Sequence, residues 1–203
     1  MTLKRFFDVS LSSIGLLILA PLFVVLSLLI KIDSRGPVIY TQERVGLHGK
    51  TFRVFKFRTM FHVEGQTGNQ LTVGGDPRIT RIGHFLRRTK LDELPQLANV
   101  WIGHMSLVGP RPEVPCYIQY YDPNALKHIL SVRPGMTDLA SIHFKSESDI
   151  LARSADPQMA YILEILPIKC NYYLAYANNN SLIGDILIIT ATLKALIFDS
   201  AML

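Results

Sequence analysis

The chain has 203 residues, enough for one domain with its own core and too few for two independent ones. A formal charge of +5 is joined to 49% hydrophobic residues, and that combination suits an anionic membrane surface and anionic substrates better than free solution. Nucleic acid is excluded as the expected partner, because no basic run with interleaved aromatics, zinc-finger spacing or helix-turn-helix pattern sharpens the positive charge. Cys116 and Cys170 are far apart and outside any Cys-x-x-Cys arrangement, which argues against a disulfide framework or a zinc site.

Residues 9–30 carry no charge. At about 1.5 Å rise per residue they reach across the ~30 Å hydrocarbon core of a bilayer. The apolar run is too long for a cleavable signal peptide. Pro21 sits near its middle, where it deletes one helix hydrogen bond and favours a kink. Basic residues flank both ends, Lys4 and Arg5 before and Lys31 and Arg35 after, so the charge rule does not place the flanks on opposite faces. A helix that re-enters the membrane, kinked at Pro21, is therefore weighed against a simple spanning helix.

Beyond it, Ser34-Arg35-Gly36-Pro37 reads as a turn, 38–42 as a short strand and 51–59 as a second. Period-two alternation puts Lys56 and Arg58 on one face of the second strand, either as a phosphate site or as a solvated face. Gly46-Leu47-His48-Gly49-Lys50-Thr51 is not a phosphate-binding P-loop, because Arg44 occupies the first glycine position of that motif. Residues 62–76 form a glycine-rich loop, read as a connection or a cover for a site. Ile79, Ile82 and Leu86, among Arg78, Arg81, Arg87 and Arg88, predict a basic amphipathic helix of the kind that lies on membranes.

Leu91, Leu94, Leu97 and Trp101 then predict a helix in which Pro95 must lie in the first turn, so that Asp92 and Glu93 stand at its N-terminus. A bare carboxylate pair there is ordinarily a partner of the helix dipole. Two proline-flanked arginines follow, Arg111 in Gly109-Pro110-Arg111-Pro112 and Arg133 in Val132-Arg133-Pro134-Gly135. Rigid turns of this kind aim a guanidinium, and a sugar diphosphate needs cations, a nucleophile or base, and carboxylates for a divalent metal. Further on, Tyr172, Tyr173 and Tyr176 fit either a membrane-interface belt or a core, and Asp185, Lys194 and Asp199 make residues 181–203 an interfacial or core helix rather than a second span.

Taken in order, Lys56-Phe57-Arg58-Thr59-Met60, Leu91-Asp92-Glu93-Leu94-Pro95-Gln96-Leu97, Met105-Ser106-Leu107-Val108-Gly109-Pro110-Arg111-Pro112 and Arg133-Pro134-Gly135-Met136-Thr137 closely resemble the bacterial sugar transferase family. These are the small monotopic phosphoglycosyl transferases. The resemblance implies an α+β, predominantly helical fold: a re-entrant membrane helix over 1–33, then a membrane-associated catalytic domain over 34–203 with a short β-hairpin and amphipathic interfacial helices. It implies Asp92 as nucleophile and metal ligand, Glu93 as its partner, and Mg2+, or Mn2+ in its place, as cofactor. Lys56, Arg58, Arg87, Arg111 and Arg133 become the expected phosphate-binding cations. The implied partners are a UDP-sugar, polyprenyl phosphate, the lipid bilayer at the cytoplasmic face of the bacterial inner membrane, and downstream glycosyltransferases. Two departures stand out: Ala20 precedes the proline where small members often have Ser, and Thr137-Asp138-Leu139-Ala140-Ser141 looks like the subgroup acting on N-acetylated sugars. A non-catalytic membrane scaffold of the same fold is the competing reading.

Overall fold

The computed structural model describes residues 2–61, 76–145 and 147–198, so the expected loop over 62–76 lies almost wholly outside the described residues. The described residues are mostly helical, with two small two-stranded sheets. Helix α1, Leu3–Asp33, starts at an N-cap in which Thr2 Oγ1 accepts from the Arg5 amide. It runs through Pro21 as uninterrupted α-helix, so the expected kink does not appear as a break in the helix. Proline removes a single N–H from the ladder, and the long apolar run on either side keeps the remaining turns intact.

One stripe of α1 packs on the rest of the protein while its other faces stay exposed and apolar. Asp8 and Ser12 are buried near one end, Leu26 and Ile30 near the other, and Leu97 packs close to Gly15 between them. Leu17, Ile18, Val24, Val25 and Leu28 are more than half exposed. Both ends are also tied by polar contacts. Asp8 accepts from Ser106 Oγ at 2.9 Å and from the Leu107 amide at 3.0 Å, and Asp33 accepts from the Ile82 amide at 3.1 Å.

Strands β1 (Ile39–Val45) and β2 (Thr51–Phe57) form the expected antiparallel hairpin, with β1 longer than the sequence suggested. Val54 and Phe57 face inward. Phe57, Leu86, Leu26 and Ile30 share one core cluster, which fastens the hairpin, α1 and helix α2 (Arg81–Thr89) together. The amphipathic reading of α2 holds, with Gly83 and Leu86 on its buried face. Helix α3, Gln96–Ile102, follows the dyad and packs along α1 and against β2. The expected helix over 91–101 is divided: Leu91–Glu93 is a 3-10 turn, and Pro95 occupies the N-cap position of α3 rather than its first turn. Lys90, in a left-handed conformation with φ of 57°, ends α2 and permits that tight join.

Strands β3 (Ser106–Val108) and β4 (Gly135–Thr137) pair in parallel. Short helices α4 (Pro123–Ile129), α5 (Leu139–His143), α6 (Glu147–Ala152) and α7 (Pro157–Ala160) lead through a π-helical turn, Tyr161–Ile165, into α8 (Leu166–Asn179) and then α9 (Leu182–Phe198). Their largest core gathers Tyr117, Tyr121, Tyr161, Leu166 and Tyr173. Tyr173 is thus a core residue, and the single Tyr176 hydroxyl proton is shared between the Val108 carbonyl and Asp185, both within hydrogen-bond distance, which favours the core reading of that tyrosine group. Asp185, buried on α9, forms an ion pair with Lys4 of α1.

The turns bearing Arg111 and Arg133 meet where backbone touches backbone. A Cβ on Gly135 would lie 2.1 Å from the Gly109 nitrogen and 2.5 Å from its carbonyl oxygen, so neither chain can yield without opening the β3–β4 pair. We expect Gly135→Ala to cost roughly 1–3 kcal/mol or more, as overpacking against an immovable neighbour does. Gly49→Ala has open space and only a positive φ of 77° to oppose it, a cost of about 1–2 kcal/mol. Thermal unfolding in neutral detergent checks the pair, and a smaller loss at Gly135 than at Gly49 would contradict the packing described.

Candidate active site

The dyad lies in the tight join between α2 and α3. The Glu93 amide donates to the Lys90 carbonyl and the Leu94 amide to the Leu91 carbonyl, so the backbone carrying both carboxylates is fixed over one turn. Asn99 sets this turn against the hairpin. It is fully buried on α3, its Oδ1 accepting from the Phe55 amide at 2.9 Å and its Nδ2 donating to the Arg53 carbonyl at 2.7 Å. Lys56, the next residue of β2, is thereby brought to the dyad.

The two carboxylates have opposite environments. Glu93 is clamped: Lys56 Nζ stands 2.7 Å from Oε1, and Arg111 grips both oxygens, Nη2 to Oε1 at 2.5 Å and Nη1 to Oε2 at 3.2 Å. A bidentate guanidinium is among the strong hydrogen-bond partners of a carboxylate and fixes its orientation as well. Asp92 is buried, and its Oδ1 has no hydrogen-bond partner among the described residues. Burial, then the neighbouring Glu93 charge, raise its pKa above the ordinary carboxylate value. Burial acts on Glu93 in the same direction, but Arg111 and Lys56 outweigh it and hold that group well below its usual value. Lys56 is lowered by burial despite its partner, so the pairing is expressed mainly on Glu93, which has two cations to itself. The Arg111 guanidinium is raised by Glu93.

Arg87, in the last turn of α2, donates through Nε to Thr59 Oγ1 at 2.8 Å and bears electrostatically on Asp92. Lys56, Arg87 and Arg111 therefore gather at the dyad. Arg58 and Arg133 do not. β2 ends at Phe57, and the buried Arg58 side chain points to the C-terminal end of α1, where Nη2 donates to the Ser34 carbonyl at 2.6 Å and to Ser34 Oγ at 2.9 Å. Arg133 donates through Nε to the Gly103 carbonyl at the end of α3 and lies beside Arg5 instead.

Sequence reasoning did not single out the group behind Arg111. Arg44 donates to the Pro112 carbonyl at 3.2 Å and lies 3.9 Å from Glu113. Glu113 also accepts from Tyr161 Oη at 2.7 Å and from Tyr121 Oη at 3.2 Å. The Val45 amide pairs with the Glu113 carbonyl. These contacts hold the Pro110–Glu113 segment against β1 and the helical core, and so fix the base of Arg111. The available signals were a charged residue directly after a rigid Pro-Arg-Pro turn and, for Asn99, a polar residue within an apolar helical pattern.

Among the described residues no group of three or more His, Cys, Asp or Glu side chains is placed to hold a metal ion. The unpartnered Asp92 Oδ1 nevertheless fits a hard divalent cation of the Mg2+ type, which is usually held by one or two carboxylates together with substrate phosphates and water.

The sequence matches the family described as bacterial sugar transferase over residues 1–199. The chain belongs to that family. It is 35% identical over 199 residues to the UDP-N-acetylgalactosamine-undecaprenyl-phosphate N-acetylgalactosaminephosphotransferase of Aeromonas hydrophila, covering 96% of this chain and 44% of that one. It is 41% identical over 156 residues to the UDP-glucose:undecaprenyl-phosphate glucose-1-phosphate transferase of Escherichia coli (strain K12), covering 74% of this chain and 33% of that one. Over 207 residues it is 33% identical to the exopolysaccharide production protein ExoY of Rhizobium meliloti (strain 1021), with 95% and 84% covered. This bacterial sugar transferase chain thus spans less than half the length of the first two relatives and most of the third.

The split environment of the dyad has a signed consequence. Glu93 is held low, so its stabilisation is present above the unfolded carboxylate pKa and is lost as pH falls through its folded value. Asp92 is raised, so its contribution is complete below the unfolded pKa and is lost as pH rises through its folded value. At neutral pH we expect Asp92→Asn to raise the thermal midpoint slightly, and Glu93→Gln to lower stability by roughly 1–3 kcal/mol by leaving two cations poorly paired. Scanning calorimetry of the two variants checks both signs.

Proposed function

We propose that this chain is a phosphoglycosyl transferase that moves a sugar-1-phosphate from a UDP-sugar to polyprenyl phosphate, undecaprenyl phosphate being the acceptor named in its relatives, and releases UMP. The observation that carries the proposal is the asymmetry of the dyad: an Asp92 oxygen without a partner, directly beside a Glu93 fully engaged by Lys56 and Arg111. A carboxylate kept free of hydrogen bonds retains its lone pairs for attack, whereas a clamped one does not. That arrangement favours catalysis over the scaffold reading.

In the proposed first step an Asp92 carboxylate oxygen attacks the sugar-linked phosphorus. The bond from that phosphorus to the bridging oxygen breaks, and UMP leaves with the oxygen and its electron pair. The phosphosugar is then an acyl phosphate on Asp92. In the second step an oxygen of polyprenyl phosphate attacks the same phosphorus, the bond to Asp92 breaks, and the carboxylate is regenerated with a polyprenyl diphosphosugar as product.

Two anions meet in each step, so the cations set the barrier. Lys56 and Arg87 bear on Asp92 itself, and Arg111 grips the adjoining Glu93, which also holds Lys56 in place. A divalent cation held by Asp92 would supply further charge neutralisation. The Thr137-Asp138 sequence and the Aeromonas relative support an N-acetylated sugar, and the family's role supports a place early in exopolysaccharide or related glycan assembly, ahead of glycosyltransferases that extend the product.

The contacts of α1 support association with one face of a membrane. About 33 Å of helix separates Asp8 from Ile30 at the standard rise, yet both ends touch the same globular body. A body of this kind cannot sit on both sides of a bilayer, so α1 is read as re-entrant at the cytoplasmic face of the inner membrane, its helix unbroken through Pro21. Its exposed apolar side is the lipid contact.

A screen of UDP-sugars with polyprenyl phosphate and Mg2+ tests the reaction. The expected nucleotide product is UMP, with ping-pong kinetics and total loss in Asp92→Asn. Because Asp92 is raised, the acid limb of kcat/KM is expected at a higher pH than an ordinary aspartate would give. UDP as the nucleotide product, or full turnover by Asp92→Asn, would overturn the assignment.

A further inference from the structure

The helix that leads into α8 carries one irregular turn, and the dyad makes no direct use of it. Across Tyr161–Ile165 the ladder is π-helical, with the Leu166 amide donating to the Tyr161 carbonyl. Such a turn holds one residue more than an α-turn, so it rotates what precedes it by about 100° relative to an unbroken helix, and turns of this kind are frequent at functional sites. The residue it sets here is Tyr161, 4% exposed at the opening of the turn. Its ring is fixed from two sides. Tyr117 lies with 4.9 Å between ring centroids, and the buried Lys169 ammonium, ion-paired with Glu147, stands 5.0 Å from the ring centre. Held in this way, Tyr161 Oη donates to Glu113 Oε2 at 2.7 Å, a shorter contact than that of Tyr121 Oη to the same oxygen at 3.2 Å.

Glu113 is two residues from Arg111, and the chain between them is stiff. Pro110 and Pro112 fix φ on both sides of Arg111, and Pro112 restricts the conformation of Arg111 itself. The backbone of the turn has an anchor at each end: the Gly135 amide donates to the Pro110 carbonyl at 2.9 Å, and the Val45 amide to the Glu113 carbonyl at 2.9 Å. The Glu113 side chain adds a third, through the two tyrosine hydroxyls and the Val114 amide. It also supplies the counter-charge of Arg44, whose guanidinium is a like charge bearing on Arg111. A stiff turn carries a displacement of Glu113 to Arg111, and Arg111 has little tolerance for it, because it must meet both oxygens of Glu93 at once.

We propose that Tyr161 and Glu113 are a positioning pair for the transfer reaction: Tyr161 holds Glu113, Glu113 holds the Pro-Arg-Pro turn, and the turn presents the Arg111 fork to Glu93 beside Asp92. Both act through Arg111 rather than on the substrate. The inference rests on the reading of the chain as a phosphoglycosyl transferase in which Arg111 is one of the working cations.

The test is steady-state UMP release by the full chain in detergent with Mg2+, polyprenyl phosphate and the UDP-sugar that the screen finds active, with kcat and KM read separately. Tyr161→Phe, which deletes one hydroxyl, is expected to lower kcat about tenfold, the effect of a modest misplacement of a working group. KM for the UDP-sugar is expected to stay within about twofold, as when an interaction made in the transition state is lost. In an Arg111→Lys background, where the fork is already gone, the same substitution is expected to change kcat by less than about twofold, because the two residues act as one unit. A tyrosine that only supports the fold would lower kcat by the same factor in both backgrounds. Should Arg111→Lys leave too little turnover to compare, thermal midpoints take the place of kcat, and Tyr161→Phe is expected to cost less in Arg111→Lys than in wild type. Should Tyr161→Phe fail to fold, Glu113→Gln, which keeps an acceptor oxygen but not the charge, replaces it in both backgrounds with the same expectations. Equal losses in the two backgrounds, a rise in KM without a fall in kcat, or full turnover by both Tyr161→Phe and Glu113→Gln would each overturn the inference while wild type still releases UMP. A wild-type chain that releases no UMP from any UDP-sugar would instead overturn the proposed function, and this inference with it.

Discussion

Glu93 held between Lys56 and Arg111 is the contact on which the rest of the site depends. It joins the three segments that must converge, the end of β2, the α2–α3 join and the Pro-Arg-Pro turn, and it does so with opposite charges in a largely buried setting. An ion pair buried in this way is a poor source of net stability but a strong one of geometry, since any other arrangement would strand a charge. Beside it, the Asp92 Oδ1 is left without a hydrogen-bond partner among the described residues, and burial, then the Glu93 charge, raise the Asp92 carboxyl.

The end of β2 and the two residues after it link the dyad to the long apolar helix α1. Lys56 reaches Glu93, Phe57 enters the core shared with Leu26 and Ile30, Arg58 holds Ser34 at the end of α1, and Thr59 accepts from Arg87. Four consecutive residues thus serve, in turn, the dyad, the apolar joint, the helix end and a further cation of the site. A shift of α1 relative to the body would thus be carried along four consecutive residues to the Lys56–Glu93 pair beside Asp92. Gly83 completes the joint, because a Cβ there would lie 2.0 Å from the Thr59 carbonyl oxygen.

Much of this was legible in the sequence. The charge-free run of α1, the alternation of β2, the amphipathic period of α2 and the position of the dyad just before an apolar helical pattern each follow from local rules. What local rules did not reach were long-range destinations. Arg58 and Arg133 are cations in the same sequence settings as Lys56 and Arg111, yet Arg58 turns to α1 and Arg133 to the end of α3, because where a strand ends and which backbone lies opposite are decided by packing. Arg44, Asn99 and Glu113 were missed for the same reason: each acts through a partner tens of residues away.

The central claim is that Asp92 is the group that takes the phosphosugar. Intact-protein mass spectrometry of the chain incubated with UDP-sugar and Mg2+ in the absence of polyprenyl phosphate measures this directly. The account requires an added mass equal to one sugar phosphate, mapped to Asp92, discharged when polyprenyl phosphate is supplied and absent from Asp92→Asn. An unmodified chain that still turns over when both substrates are present, or an adduct carried by Glu93, would contradict it.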